Sequence, residues 1–125
     1  MTDKNITLPH DHGEDGARIL AYMPADGIIT AVSGAMKQLG DPSRLRIFWL
    51  LCHCEECVIN IAALTGMTSP AVSHHLRLLK DSGLIISSRR GREMYYRAAD
   101  TDMAQALHHT IEHIAEITCP DIVNI

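Results

Sequence analysis

No run of 18 apolar residues occurs in the chain, so no segment has the length of a typical membrane-spanning helix. The N-terminus is acidic and lacks the basic and apolar regions of a secretory signal. Aromatic residues are scarce, at 4% of 125 residues. These absences argue against a membrane protein and favour a cytoplasmic domain with a helical interior of Leu, Ile, Ala and Met. Because such a core is small, we expect pairing with a second copy.

No internal repeat is present, and the sequence indicates one domain between two short tails. We expect a mobile N-terminal tail over residues 1–15, a folded domain with dimerisation helices over 16–119, and a C-terminal tail over 120–125. The spacing of apolar residues predicts six helices, at 16–23, 26–39, 42–51, 58–64, 69–81 and 100–118. Two strands are predicted between the last two helices, at 84–88 and 93–97. The predicted fold class is mainly α with a small β-hairpin.

Residues 61–97 follow the order helix, glycine-containing turn, helix and hairpin, which is typical of DNA-binding domains. Ser69 is expected to cap the second helix, with Pro70 at its first position. Val72, Leu76 and Leu79 share one face of that helix and are predicted to pack inward. The other faces carry small polar or basic side chains suited to base edges in a major groove: Ser69, Ser73, His74 and Arg77.

The charge of the chain is distributed unevenly. A net charge of −4 argues against indiscriminate binding of nucleic acid. Residues 68–97 nevertheless hold six basic residues against two acidic ones. Arg89, Arg90 and Arg92 lie at the expected hairpin tip. On a lone hairpin they are ordinary solvated residues, but beside a helix-turn-helix they favour contact with the phosphates or the minor groove of double-stranded DNA.

Three of the four cysteines, Cys52, Cys54 and Cys57, lie within six residues of one another. In a reducing cytoplasm this spacing favours a metal or redox cluster over a disulfide framework. The alternative is that they are small core residues. Three thiolates suit a soft ion such as arsenite, Cd²⁺ or Cu⁺. Cys119, just past the last helix, is interpreted as a chain-end residue.

The last helix carries Asp100 and Asp102 at its start and His113 and Glu116 near its end. Asp102 and His113 are separated by roughly 16 Å along one helix, so the four side chains cannot share an ion within one chain. In two antiparallel copies about a two-fold axis, the carboxylates of one copy would lie beside the imidazole of the other. Such a set suits Zn²⁺, Co²⁺, Ni²⁺ or Mn²⁺. The alternative is that acidic residues at a helix start simply stabilise the helix dipole.

Five segments of the chain resemble the ArsR/SmtB family of metal-responsive winged-helix repressors. They are Asp41–Ile47, Glu56–Val58, Ala71–Leu76, Ser82–Ile85 and Gly91–Tyr96, within a similarity over about residues 30–118. The resemblance implies a homodimer joined through its first and last helices, which binds an imperfect palindromic operator when metal-free and releases it on binding a metal ion. It also adds Ala71 and His75 to the expected DNA-binding residues.

The resemblance further implies an effector, zinc or another divalent transition metal, held by the last helix. Zinc-sensing members use a D-x-H-x10-H-x2-E/H pattern there, which Asp100, His113 and Glu116 match. Asp102 replaces the usual His, which makes the set harder and leaves the identity of the ion open. A second family site uses thiolates, and Cys57 matches one of them. Ile59 stands where a further cysteine is usual, and the N-terminal tail, which has no cysteine, offers His10 or His12 instead.

Three other functions were considered. His109 to His113 match the H-x-x-E-H pattern of inverted zinc peptidases, but only twelve residues follow, too few for a third ligand and a substrate cleft, so we expect no enzyme. A redox or reactive-sulfur repressor would use Cys52, Cys54 or Cys57 as a thiol switch on the same scaffold. A protein-interaction module is disfavoured by the basic hairpin.

Overall fold

The computed structural model describes residues 6–118, so Cys119 and the predicted tail over 120–125 lie outside the described residues. The chain divides into two compact units, the first reaching to Gly34 and the second beginning at Ala35. The division into tails and domain predicted from the sequence stays a prediction.

The first unit is helical. It contains α1, Asp15–Ile19, a single 3₁₀ turn, Leu20–Tyr22, and most of α2, Asp26–Gln38, which runs across the boundary. Over residues 6–118, no individual helix combines the length and the hydropathy that a bilayer crossing needs. The segments Asp15–Tyr22 and Asp26–Gln38, bent by 82°, meet both criteria only when they are counted together.

The second unit has the element order of a winged helix-turn-helix. After α2 come α3, Pro42–His53; β1, Glu56–Cys57; α4, Val58–Thr65; α5, Ser69–Asp81; β2, Ile85–Arg90; β3, Glu93–Ala98; and α6, Asp102–Thr118. The predicted class, mainly α with a small β-hairpin, is confirmed. The hairpin belongs to a three-stranded antiparallel sheet of order β1-β3-β2, in which Cys57 pairs with Tyr95. Sequence periodicity missed β1 because a two-residue strand has no period.

Short polar side chains fix the start of α3 and α5. The Asp41 carboxylate accepts the Arg44 N–H at 2.9 Å, and Pro42, which has no N–H to lose, begins α3. This backbone hydrogen bond is the main reason that the pKa of Asp41 lies below its ordinary value. At α5 the cap is Thr68, whose hydroxyl accepts the Ala71 N–H at 3.3 Å. Our expectation of Ser69 as the cap was wrong by one residue, because Ser69 already has a helical backbone.

The turn between α4 and α5 depends on one glycine. Gly66 ends α4 in the left-handed region, at φ 68°, where a Cβ is disfavoured by sterics. Its N–H is bonded to the carbonyl of Ala62, which keeps the C-terminus of α4 hydrogen-bonded. The chain therefore reverses over few residues, and α5 packs against α4, as in a helix-turn-helix.

The core lies where α3, α4, α5 and β2 meet. Val72, Leu76 and Leu79 of α5 are 0–1% exposed, which confirms the predicted inward face. The other members of the cluster are Ala35, Ile47, Phe48, Leu51, Ile61, Leu84, Ile85, Ala99 and Ala104. A recognition helix anchored on one face by three aliphatic side chains presents its remaining faces outward in a fixed orientation.

Apolar side chains stay exposed on α2 and α6. On α2, Ile28 is 58% and Met36 56% exposed. On α6, Met103 and Leu107 pack against the core, whereas Ile117, nearer the C-terminus, is 65% exposed. An amphipathic helix with a bare apolar stretch commonly marks an interface.

Candidate nucleic-acid interface and metal ligands

The outward faces of α5 carry the polar residues that the sequence singled out. Ser69, Ser73, His74 and Arg77 are all exposed. Arg77 lies over the preceding turn, with Nη2 3.3 Å from Nδ1 of His74. A hydroxyl-rich start followed by an imidazole and a guanidinium gives a helix that can donate to base edges and phosphates.

Ala71 and His75 lie deeper than their neighbours on α5. Both are partly buried, and the His75 side chain is only 15% exposed. Its Nε2 lies 4.0 Å from Oδ2 of Asp41, and its Nδ1 lies 3.4 Å from Nη1 of Arg44. Burial lowers the pKa of His75, with the Asp41 carboxylate opposing that effect. His75 therefore joins α5 to the start of α3.

The wing is a tight hairpin between β2 and β3. Arg90 pairs with Glu93 in the ladder, so Gly91 and Arg92 form a two-residue loop, with Gly91 at φ 63°. Arg89 and Arg92 are exposed, and within residues 6–118 neither makes an ion pair. The predicted basic tip is thus present.

Arg90 differs from the other two wing arginines. It forms an ion pair with Glu55, and its guanidinium lies 4.8 Å from the centre of the Tyr95 ring. Glu55 lies outside residues 68–97, the segment whose basic and acidic residues were counted above. A charge count therefore could not find the pair.

The four predicted ligands of the last helix are accessible, but one chain does not bring them together. Asp100 precedes α6, which begins two residues later than expected, and pairs with Arg97 at 3.0 Å. Asp102 is the first residue of α6, where its charge also suits the helix dipole. His113 and Glu116 are exposed and line one open hollow beside Trp49. The two pairs thus stay at opposite ends of α6.

The cysteines are placed as separate thiols. Cys54 ends α3 and donates to the carbonyl of Leu50 at 3.4 Å, while Cys57 is buried, at 7% exposure. Among residues 6–118, no three cysteines gather at ligand distance. Burial, with a smaller contribution from Glu112, raises the pKa of Cys52 to about 11. Burial and Glu56 raise that of Cys54. Both thiols are therefore poor nucleophiles at neutral pH.

Sequence reasoning missed one cluster of side chains. His53, at the end of α3, meets His108 and Glu112 on α6, and the ligand atoms of all three lie within 4.8 Å of one another. The only local signal was the spacing of His108 and Glu112, four residues apart on one helix face. The H-x-x-E-H pattern groups Glu112 with His109 and His113 instead.

Comparison with known proteins agrees with this geometry. Residues 41–87 match the model of the arsR family of bacterial regulatory proteins. The chain is 38% identical over 103 residues to the transcriptional regulator NmtR of Mycobacterium tuberculosis, covering 82% of this chain and 85% of that one. The chain belongs to the ArsR family. The resemblance inferred from the sequence is confirmed, and so is the expectation of a regulatory protein rather than an enzyme.

Two further ArsR relatives bear on assembly and effector. The homodimeric winged helix-turn-helix DNA-binding domain of a Mycobacterium bovis protein superposes with a TM-score of 0.66 at 33% identity, covering 75% of this chain and 89% of that one. The cadmium resistance regulatory protein CadC homologue of Staphylococcus aureus is 31% identical, covering 69% of this chain and 72% of that one. Both are similar to this chain at moderate identity.

Proposed function

We propose that the chain is a metal-sensing transcriptional repressor, which binds operator DNA as an apo homodimer and releases it on binding a divalent metal ion, with Zn²⁺ the first candidate. The observation that carries the proposal is the exposed polar face of α5 beside a basic wing, on an ArsR fold. Such a protein works in the cytoplasm, where operator DNA is found.

The DNA-binding half of the proposal follows from which side chains are exposed. The exposed face of α5 contacts base edges or positions the helix in the major groove, through Ser69, Ser73, His74 and Arg77. The phosphate backbone beside the groove is contacted by Arg89 and Arg92 of the wing. In a two-fold dimer, two α5 helices enter successive major grooves, so the operator is an imperfect palindrome. His75 contributes indirectly in this scheme, because its contacts to Asp41 and Arg44 fix the orientation of α5.

The effector half rests on the chemistry of the last helix. Asp100 and Asp102 of one protomer, with the partner's His113 and Glu116, offer one nitrogen and three carboxylate oxygens, a donor set that suits Zn²⁺, Co²⁺ or Ni²⁺. Asp100 must first leave Arg97, its partner at 3.0 Å. That exposed ion pair is weak, so the exchange costs little.

DNA and metal then compete through the shape of the dimer. Bridging the two last helices favours a spacing of the α5 pair that fits DNA less well. A coupling of roughly 1–3 kcal/mol weakens DNA binding about 5- to 150-fold. By reciprocity, operator DNA weakens metal binding by the same factor.

The proposal is tested with a duplex selected by the apo protein from a randomised pool. Fluorescence anisotropy should show binding that weakens about 5- to 150-fold on addition of Zn²⁺, Co²⁺ or Ni²⁺. His113→Ala should keep the apo affinity and lose the metal response, whereas His109→Ala, a matched histidine on the same helix, should keep both. A full response of His113→Ala to all three ions would remove the last-helix site from the proposal.

The thiol-switch alternative draws no support from the side-chain environment. Burial raises the pKa of Cys52 and Cys54, which disfavours the thiolate needed for oxidation. In metal-free buffer, diamide should leave DNA binding unchanged. Release by diamide that dithiothreitol reverses would instead favour the thiol mechanism.

A further inference from the structure

A second group of metal-binding side chains lies within one chain, away from the ligands discussed above. His53 is the last residue of α3, and His108 and Glu112 are one turn apart on α6. Nε2 of His53 lies 3.0 Å from Nε2 of His108 and 3.3 Å from Oε1 of Glu112. His108 also contacts Oε1 of Glu112 through Nε2. Three donor atoms from two helices thus converge on one point.

Hydrogen bonds alone cannot satisfy all three contacts in this triangle of His53, His108 and Glu112. A single proton between the two Nε2 atoms satisfies only the contact between His53 and His108. The imidazole that lacks a proton on Nε2 then faces the Glu112 carboxylate with nothing to donate. If both Nε2 atoms carry protons, two donors face each other at 3.0 Å. A cation accepts electron pairs from all three atoms at once, which removes the conflict.

The spacing also fits a first-row divalent ion. Donors about 2.1 Å from a tetrahedral ion are about 3.4 Å apart, so the two contacts of His53 need to open by only a few tenths of an ångström, and the closer contact between His108 and Glu112 by more. Aromatic contacts hold the rings: Trp49 lies 4.4 Å from the His53 ring, and the rings of His53 and His108 meet edge-on at 84°. The side chains of His53 and Glu112 are 42% and 48% exposed, so an ion can reach them from solvent.

We propose that His53, His108 and Glu112 bind one borderline divalent cation per chain, such as Zn²⁺, Co²⁺ or Ni²⁺, with a position left for water. Two imidazoles and one carboxylate are ligands that these ions prefer. The site needs no second protomer and does not rest on the proposed function. It ties the end of α3 to the middle of α6, and α3 packs directly on α5.

The test uses the full chain with Co²⁺ as the probe, in a His113→Ala background that removes the last-helix site. Visible absorption should titrate to about one Co²⁺ per chain in His113→Ala. Adding His108→Ala should weaken this binding at least about 100-fold, since even outer-shell changes cost 10- to 100-fold. Adding His109→Ala, the adjacent histidine outside the triangle, should leave it unchanged. Zn²⁺ should shift the imidazole NMR signals of His53 and His108 but not that of His109.

Glu112→Gln guards against loss of fold, because it keeps the size and hydrogen-bonding capacity of the side chain while removing the charge. In the same background it should lower Co²⁺ affinity without changing the melting temperature. If His108→Ala and Glu112→Gln both bind Co²⁺ as tightly as the background, the triangle is a hydrogen-bonded cluster only and the inference is wrong. Failure of the proposed last-helix site would show separately, as a persistent metal response of DNA binding in His113→Ala alone.

Discussion

The three arginines of the wing differ in what they already contact. All three are exposed, but Arg90 forms an ion pair with Glu55 and lies over Tyr95, whereas Arg89 and Arg92 make no ion pair with residues 6–118. To contact a phosphate, Arg90 must leave a carboxylate or share its guanidinium with both. At the scale of single residues, Arg92 is therefore the better candidate for a phosphate contact, although the three residues look alike in the sequence.

Arg92→Ala should weaken binding to specific and random duplexes alike and lower the slope of log affinity against log salt by about one. Glu55→Gln should do the opposite, because it frees Arg90 for DNA while removing a negative charge near the wing. Anisotropy titrations over a range of salt concentrations measure both, with Arg18→Ala as the control for a simple change in net charge. An unchanged slope in Arg92→Ala would exclude a phosphate contact.

The stability of a helix depends on the residues that cap its ends as well as on the side chains that pack along its face. α3 begins at Asp41, whose carboxylate binds the Arg44 N–H and lies 4.0 Å from His75 on α5. One carboxylate thus caps a helix and also lies at the junction with the recognition helix. Because the hydrogen bond favours the ionised form, the pKa of Asp41 is lowered on folding. A lowered carboxyl pKa stabilises the fold above the pKa of the unfolded chain, and this stabilisation is lost as pH falls.

Asp41→Asn separates the cap from the charge. Asn is an equally good cap, so the variant should melt near the wild type at low pH but lack the added stability of the ionised form at neutral pH. The difference in melting temperature should be constant above about pH 5 and shrink as pH falls through the acidic range. Asp41→Ala should melt lower than both at every pH. Thermal melts from pH 3 to 8, followed by circular dichroism, provide the comparison; parallel wild-type and Asn curves would contradict it.

At the scale of the whole molecule, exposed apolar side chains on α2 and α6 are the main unexplained surface of a single chain. Ile28 is 58% and Ile117 65% exposed, and Ile117 belongs to the last helix, which the family resemblance assigns to dimerisation. Covering such side chains with a second copy removes apolar area from water at about 25 cal/mol per Å². The similar Mycobacterium bovis domain is homodimeric.

Ile117→Glu should place a charge in that interface, shift the protein toward monomer, and weaken DNA binding, because a palindrome is then read by single protomers. Ile59→Glu is the matched control, since Ile59 is 69% exposed on α4, outside the two helices. Analytical ultracentrifugation at micromolar concentration reports the association state. If the Ile117→Glu dimer is as stable as the Ile59→Glu dimer, the interface does not include Ile117.

Features that depend on neighbours a few residues apart can be predicted from the order of residues alone. The spacing of Val72, Leu76 and Leu79 fixed the buried face of α5, and Asp41 with Pro42 fixed the start of α3. A hairpin with Gly91 at its tip likewise follows from local backbone preference, although the strands reach closer to the tip than predicted and leave a loop of two residues. Each feature is decided within about two turns of helix or one hairpin, so the order of residues suffices.

Only the tertiary structure decided which distant side chains meet. Glu55 and Arg90 are 35 residues apart in the chain, and His53 and His108 are 55 apart. No periodicity links such pairs. Their contacts depend on how the ends of α3 and α6 and the edge of the sheet are placed by a core of aliphatic side chains. Burial, which raises the pKa of Cys52, depends on that same packing, so the distinction between buried thiols and a thiol cluster is a property of the fold.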